Sequence, residues 1–383
     1  MAKYKLGEIC EIVSGSTPKT GIAEYWDGNL KWITPAEIDD ESYIITDSAR
    51  KLTKLGVKKT GLSSFPSGTV ILSSRAPIGK VAIAGCEMYC NQGFKNLICS
   101  DRINNRYLYW FLKGNTAYLN SLGRGATFKE ISKKIVSDIE INVPEISQQL
   151  AAVDALERVS EIIRLRKNQL QKLDELIKAR FVEMFGDFEF NPKKFPIYLL
   201  CNLCDVGSSK RIYQEEQSTS GIPFLKISDL VDLIDAGTFS ASTFIPSDRY
   251  ERLCSQGLTP KTNDVLITSR GTLGKCYIVK KSDEFYFQDG MISWLSNISE
   301  KVSSTYISYL FMQPYIQKQI LALQAGSTVA YLSISMLKRL NIILPPLSLQ
   351  NQFAAFVAEV DKSKLFAELF AQSTCILAEN RSK

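Results

Sequence analysis

The chain has 383 residues, of which 45% are hydrophobic and 22% charged, with a formal net charge of +6. That is the profile of a globular protein with room for two ordinary domains of about 100–200 residues each, and no run approaches the ~20 apolar residues of a membrane span. It contains no histidine, which removes the commonest general base and metal ligand and excludes Ser-His-Asp and Cys-His chemistry.

The first residues, Met1 to Glu8, run straight into a strand-like pattern with no apolar signal core, so the protein is expected in the cytoplasm. From there to Pro144, short β-type runs such as Gly68-Thr-Val-Ile-Leu-Ser-Ser74 alternate with turn signals. Tyr25, Trp26 and Trp32 are candidates for stacking on bases, but core positions are the favoured reading. After Pro144 the pattern changes to a helix expected from Ser147 to Phe185. Leu156, Ile163, Leu170, Ile177 and Met184 recur every seven residues, with Val153, Val159, Leu173 and Leu176 beside them and alternating charges on the outer face. A helix of this length spans about 60 Å at ~1.5 Å per residue, longer than a lobe of this size. Its stripe therefore predicts a partner helix, with packing on its own lobe as the alternative.

A second β-rich stretch follows, and after Pro345-Pro346 a second helix is expected from about Ser348 to Ala378, with Phe353, Phe356, Val357, Val360, Phe366 and Phe370 on one face. The predicted interface of the helix pair is Leu156, Ile163, Leu170 and Ile177 against Phe353, Val360 and Phe370.

The long-range repeat is the most informative feature of the sequence. Val70-Ile-Leu-Ser-Ser-Arg-Ala-Pro-Ile-Gly-Lys80 matches Val265-Leu-Ile-Thr-Ser-Arg-Gly-Thr-Leu-Gly-Lys275. Tyr89-Cys-Asn-Gln-Gly93 answers Phe287-Gln-Asp-Gly290, Gly125-Ala-Thr127 answers Gly326-Ser-Thr328, and Val143-Pro-Glu-Ile-Ser-Gln-Gln149 answers Leu344-Pro-Pro-Leu-Ser-Leu-Gln350. The expected fold is α+β: two pseudo-repeated β-rich domains over 1–144 and 188–345, separated by an antiparallel pair of long coiled-coil helices over 145–187 and 346–383. Lys and Arg exceed Asp and Glu by five in 1–144 and by two in 188–345, whereas 145–187 carries −1 and 346–383 is neutral. Two basic lobes suit a polyanion held twice.

No catalytic or metal motif emerges. Arg270-Gly-Thr-Leu-Gly-Lys275 lacks the first glycine and the final Ser/Thr of a phosphate loop, and Asn191-Pro-Lys193 is not the Asn-Pro-Pro-aromatic of an adenine methyltransferase. Cys201 and Cys204 form the single C-x-x-C, without a second pair at zinc-ribbon spacing; the nine cysteines are expected reduced and mostly buried. The repeated segments are better candidates for DNA contact. Arg75, Lys80, Arg270 and Lys275 flank the glycine turns, Asn91, Gln92 and Gln288 offer amides to base edges, and Arg124, Thr127, Ser327 and Thr328 lie in small-polar loops. Lys210 and Arg211 join them at the start of the second copy. The alternative is an ordinary hairpin whose polar residues serve the turn.

Gly15-Ser-Thr-Pro18, Tyr25-Trp26, Gly28 and Trp32-Ile-Thr-Pro35 resemble the opening of a target-recognition domain of the Type I restriction-modification specificity subunits. Gly207-Ser-Ser-Lys-Arg-Ile212 with Gly221-Ile-Pro-Phe-Leu-Lys-Ile-Ser-Asp229 looks like a second such opening, and the paired Ser-Arg-x-x-x-Gly-Lys segments and Pro345-to-Phe353 stretch are similar to family signatures. Pro144-Glu145 departs from the usual double proline. The resemblance covers essentially the whole chain. It implies a non-catalytic subunit whose lobes each read half of a bipartite site in double-stranded DNA, with the helices setting the gap. Two modification subunits would bring S-adenosylmethionine and two restriction subunits would bring ATP and Mg, while this chain would bind no cofactor and no membrane. The rival readings are a specificity subunit serving a fused methylase-nuclease and a coiled-coil adaptor with no DNA role; an enzyme is the weakest.

Overall fold

A computed structural model describes residues 2–125, 129–324 and 330–381, with side chains as far as Phe366 in the last helix. The chain divides into two compact units, residues 1–165 with 371–383 and residues 166–370.

The described strands of the first unit are β1 (Ala2–Lys5), β2 (Cys10–Val13), β3 (Trp26–Ile33), β4 (Ile44–Ile45), β5 (Arg50–Leu52), β6 (Val70–Ser74), β7 (Ile78–Ala84), β8 (Tyr89–Cys90), β9 (Asn96–Cys99) and β10 (Glu140–Val143). They assemble as a pair β1-β10, a sheet in the order β2-β9-β6-β7-β4, and a small sheet β5-β3-β8. Every residue of β6 is buried: Val70, Ile71 and Leu72 pack in the core, and the hydroxyls of Ser73 and Ser74 are hydrogen-bonded within the fold. Leu72, Val81 and Leu97 lie in one core layer with Leu108 and Leu112 of helix α1 (Asn105–Gly114). Trp26 and Trp32 are 5% and 3% exposed and meet edge to face at 5.0 Å, with the Arg50 guanidinium 3.5 Å above the Trp26 ring. They are the core of the small sheet and are unavailable for stacking on bases.

Helix α2 (Ile146–Phe185) leaves this lobe through a buried polar plug. Gln149, with no exposed surface, accepts from Asn104 N (2.8 Å) and donates to the carbonyls of Arg102 and Pro144 (3.0 and 2.9 Å). Two turns on, Glu157 takes the Arg106 guanidinium, Nε at 2.7 Å, and the Tyr43 hydroxyl. A partly shielded, bidentate pair should exceed an ordinary surface ion pair. A double-mutant cycle on Arg106→Ala and Glu157→Ala is expected to give a coupling of about 1 kcal/mol in unfolding free energy; additive losses would place the anchoring elsewhere.

The second unit repeats the plan with β11 (Ile197–Leu199), β12 (Asp205–Gly207), β13 (Ile222–Leu225), β14 (Phe244–Ile245), β15 (Val265–Thr268), β16 (Cys276–Ile278), β17 (Tyr286–Phe287), β18 (Ile292–Ser296) and β19 (Asn341–Ile343). The orders β11-β19, β12-β18-β15-β16 and β14-β13-β17 correspond to β1-β10, β2-β9-β6-β7 and β5-β3-β8, including one parallel pairing in each small sheet, while β4, parallel to β7 at the sheet edge, has no counterpart among the described strands of the second unit. The first residue of β6 faces Leu97 and the first residue of β15 faces Leu295, which sets the two copies in register. Helices α3 (Ser304–Phe311) and α4 (Leu347–Arg381) answer α1 and α2. Gln350 repeats the plug, accepting from Ser303 N (2.9 Å) and donating to the carbonyls of Lys301 and Pro345 (3.1 and 2.8 Å).

Within this unit the last part of α2 and the first part of α4 run antiparallel: Asp174 pairs with Lys364 (2.6 Å), Arg180 lies over Phe356, and Phe185 meets Phe353. Ile177, Phe353 and Val360 are buried in one cluster with Phe181, Phe185, Tyr306 and Leu310, so the helix end is embedded in the lobe as well as facing its partner helix. Leu156, Ile163 and Leu170 are only half-buried, Leu176 is 47% exposed, and the Phe370 side chain lies outside the described residues. No described helix is long and apolar enough to cross a membrane. The eight described cysteines are free; Cys10, Cys90 and Cys204 are buried, whereas Cys201 and Cys254 are exposed, so burial is less general than the sequence suggested.

Candidate nucleic-acid interface

In each lobe the hairpin that carries the repeated Arg and Lys is pinned by one hydroxyl. Ser73 Oγ donates to the Pro77 carbonyl (2.7 Å) and accepts from Lys80 N (2.8 Å); Thr268 Oγ1 donates to the Thr272 carbonyl and accepts from Lys275 N (3.0 Å). The shared Ser/Thr is thus a turn device, and the residues beyond it project from a rigid edge. The glycine loops dock beside it, because Ser74 N donates to the Gly93 carbonyl (2.7 Å) and Ser269 N to the Met291 carbonyl (2.9 Å). A third segment closes the group: Ile131 N bonds the Ser74 carbonyl and Leu332 N the Ser269 carbonyl, both at 3.0 Å.

The structure thereby brings Arg75, the Asn91–Gly93 turn and Arg124 to one sheet end of the first lobe, and Arg270 and Gln288 to the equivalent end of the second. Arg75 is half-buried with its guanidinium 3.8 Å from Glu130, whereas Arg270 is exposed with its guanidinium 5.2 Å from the Tyr331 ring centroid. Arg124 is exposed and pairs through its backbone with Glu130. Arg211 is exposed and held by Asp289 (2.8 Å), which raises its pKa and fixes the guanidinium beside the second glycine turn. Lys210 is exposed, while its N–H donates to the Tyr286 hydroxyl (2.8 Å).

Other predicted residues are occupied within the fold. Lys80 Nζ reaches the Pro35 carbonyl (3.0 Å), and Lys275 Nζ is paired with both oxygens of Asp235 (2.5 Å). Asn91 Oδ1 accepts from Gly93 N (2.8 Å), the local closure of an Asx turn. Gln92 accepts from the Thr17 hydroxyl (2.6 Å), and Gln288 is half-buried with its backbone N–H on the Leu225 carbonyl. Thr127, Ser327 and Thr328 lie outside the described residues. Sequence reasoning missed Lys95 and Glu130. Lys95, its side chain 9% exposed, donates to Glu130 Oε1 (3.1 Å) and Ser74 Oγ (3.2 Å). A lone lysine inside the apolar run Gly93-Phe-Lys-Asn-Leu-Ile98 was the available signal. Among the described residues no group of three or more His, Cys, Asp or Glu side chains is placed to hold a metal ion.

A duplicated sheet plan, two long helices and a basic group at each sheet end define a two-lobed DNA-specificity protein. The chain matches the Type I restriction modification DNA specificity domain over residues 1–175 and again over 192–369, and it belongs to that family. It is 29% identical over 378 residues to the Type I restriction enzyme MjaIX specificity subunit of Methanocaldococcus jannaschii, covering 92% of this chain and 85% of that one. It is 23% identical to the MjaVIII specificity subunit of the same organism, covering 93% and 85%. The solved structure of the Type I restriction-modification system S subunit from M. genitalium has the same fold, with a TM-score of 0.59 at 14% identity over 99% of this chain and 94% of that one. The chain is the DNA-specificity component of a Type I restriction-modification system.

Proposed function

We propose that each lobe reads one half of a bipartite site in double-stranded DNA, while the long helices set the gap and dock the modification subunits. The observation that carries this reading is the equivalence of the two sheet ends, where Arg75 and Arg270 leave the same hydroxyl-pinned hairpin in lobes that otherwise differ in surface chemistry. Two separate grips of the same design fit two short recognised stretches better than one continuous one. Two modification subunits methylate adenine with S-adenosylmethionine, and two restriction subunits add ATP- and Mg-dependent translocation and cleavage. This chain supplies recognition, performs no catalysis, binds no cofactor and works in the cytoplasm.

Mapping of methylated adenines across a genome, after co-expression with the cognate modification subunit, is the direct test. A split motif of two short halves around a fixed unspecific gap is expected, and exchanging residues 1–144 for another such lobe should change one half alone. A single continuous motif would overturn the two-lobe reading.

A further inference from the structure

We propose that Glu130 is a specificity-determining residue of the first lobe, a carboxylate aimed by the buried Lys95 to accept a hydrogen bond from the amino group of a cytosine. The inference rests on the reading that the sheet ends face DNA, and it names what one of them recognises.

Set in register, the two copies differ in charge at two positions of the sheet end. The pairings of β6 with β9 and of β15 with β18 place Lys95 opposite Ser293 of the second lobe, and the Ile131 and Leu332 hydrogen bonds place Glu130 opposite Tyr331. In the second lobe the inner position is neutral, with Ser269 Oγ and Ser293 Oγ 2.7 Å apart, and the outer one is a tyrosine beneath Arg270. In the first lobe both positions are charged. Lys95 reaches Glu130 from the interior, and Arg75 lies 3.8 Å from its other oxygen.

A lysine this deeply buried is costly unless paired, and the second lobe fills the same position with a neutral side chain, Ser293. The cost has a function if the carboxylate it holds is the working group. DNA repels an unsupported carboxylate, because its phosphates carry one negative charge per ~1.7 Å of helix axis. Lys95 and Arg75 supply two positive charges around Glu130, which lets an acceptor-only side chain sit at a polyanion's surface in a fixed orientation. Glu130 is 37% exposed on its side-chain surface, so it is free to accept a further bond from outside. In the major groove a carboxylate pairs with the N4 amino donor of cytosine, whereas a glutamine pairs with N6 and N7 of adenine. Lys95 is then a positioning residue acting through Glu130.

The test uses the full chain with its modification subunit and reads the methylation motif. In the Glu130→Gln variant, one cytosine-specific position of the half read by the first lobe is expected to relax or move to adenine, by about tenfold or more in relative methylation. The half read by the second lobe serves as an internal control and stays unchanged. The double variant Lys95→Ser with Glu130→Tyr, which installs the second lobe's own pairing and leaves no buried charge, guards against a folding defect and is expected to change the same half only. An unchanged first half in the folded double variant overturns the proposal while leaving the two-lobe reading intact. A wild-type motif that is not split overturns the two-lobe reading itself.

Discussion

Replacing Phe181 by alanine is expected to destabilise the second unit by about 3–5 kcal/mol, the loss of a fully buried aromatic side chain. Phe181 is 1% exposed and stands at the centre of an aromatic cluster, with ring centroids 4.7 Å from Phe185, 5.3 Å from Phe353, 5.5 Å from Phe188 and 5.9 Å from Tyr306. These partners come from both long helices, from α3 and from the segment after α2, so alanine opens a cavity that no single element can close by shifting. Edge-to-face pairs add roughly 0.5–1.5 kcal/mol beyond their buried area. For a unit of this size the loss corresponds to about 10 °C in the melting transition, read by calorimetry. Val182→Ala, one residue along and 50% exposed, is expected to change stability by less than about 0.5 kcal/mol. Near-equal effects of the two variants would mean that α2 is not embedded in the lobe as described.

That cluster also shows where the sequence was legible and where it was not. Seven-residue spacing identified α2 and its apolar stripe, because periodicity is a local property of the chain. It pointed to helix-on-helix packing throughout, yet Phe181 and Phe185 lie beside the stripe of Leu156 to Met184 and are covered by the lobe. Which neighbour covers a stripe depends on tertiary placement, which spacing does not encode. The duplicated strings likewise located the hairpins of Arg75 and Arg270, since each copy kept the same turn chemistry. The partners of Lys80 and Lys275 were illegible: the Pro35 carbonyl and Asp235 come from segments 45 and 40 residues away. Lys95 and Glu130 escaped for the same reason, being separated by 35 residues and meaningful only as a pair.

At Gln149 and Gln350 the repeat reaches the level of single atoms. The sequence marks both as the ends of matching proline-led strings, readable as helix starts but not as buried plugs. In the folded chain each side-chain oxygen satisfies the N–H at an α1 or α3 start, and each amide nitrogen satisfies two carbonyls, with no solvent access. Leucine at either position removes three hydrogen bonds while nearly preserving volume. It strands one N–H and two carbonyls, so a loss of about 2–4 kcal/mol is expected in each unit. Glutamate should do worse near neutral pH, because it keeps the bond from the N–H but turns a buried carboxylate oxygen toward two carbonyls. Unfolding of Gln149→Leu and Gln350→Leu, followed by calorimetry, is expected to lower the transition of the affected unit by similar amounts. The sheet ends of the lobes have diverged, as the buried Lys95 with Glu130 shows against Ser293 and Tyr331, so equal losses at the plugs would locate the retained part of the duplication where helix meets lobe. A loss confined to one unit would instead mean that the two junctions, alike in geometry, no longer share their energetics.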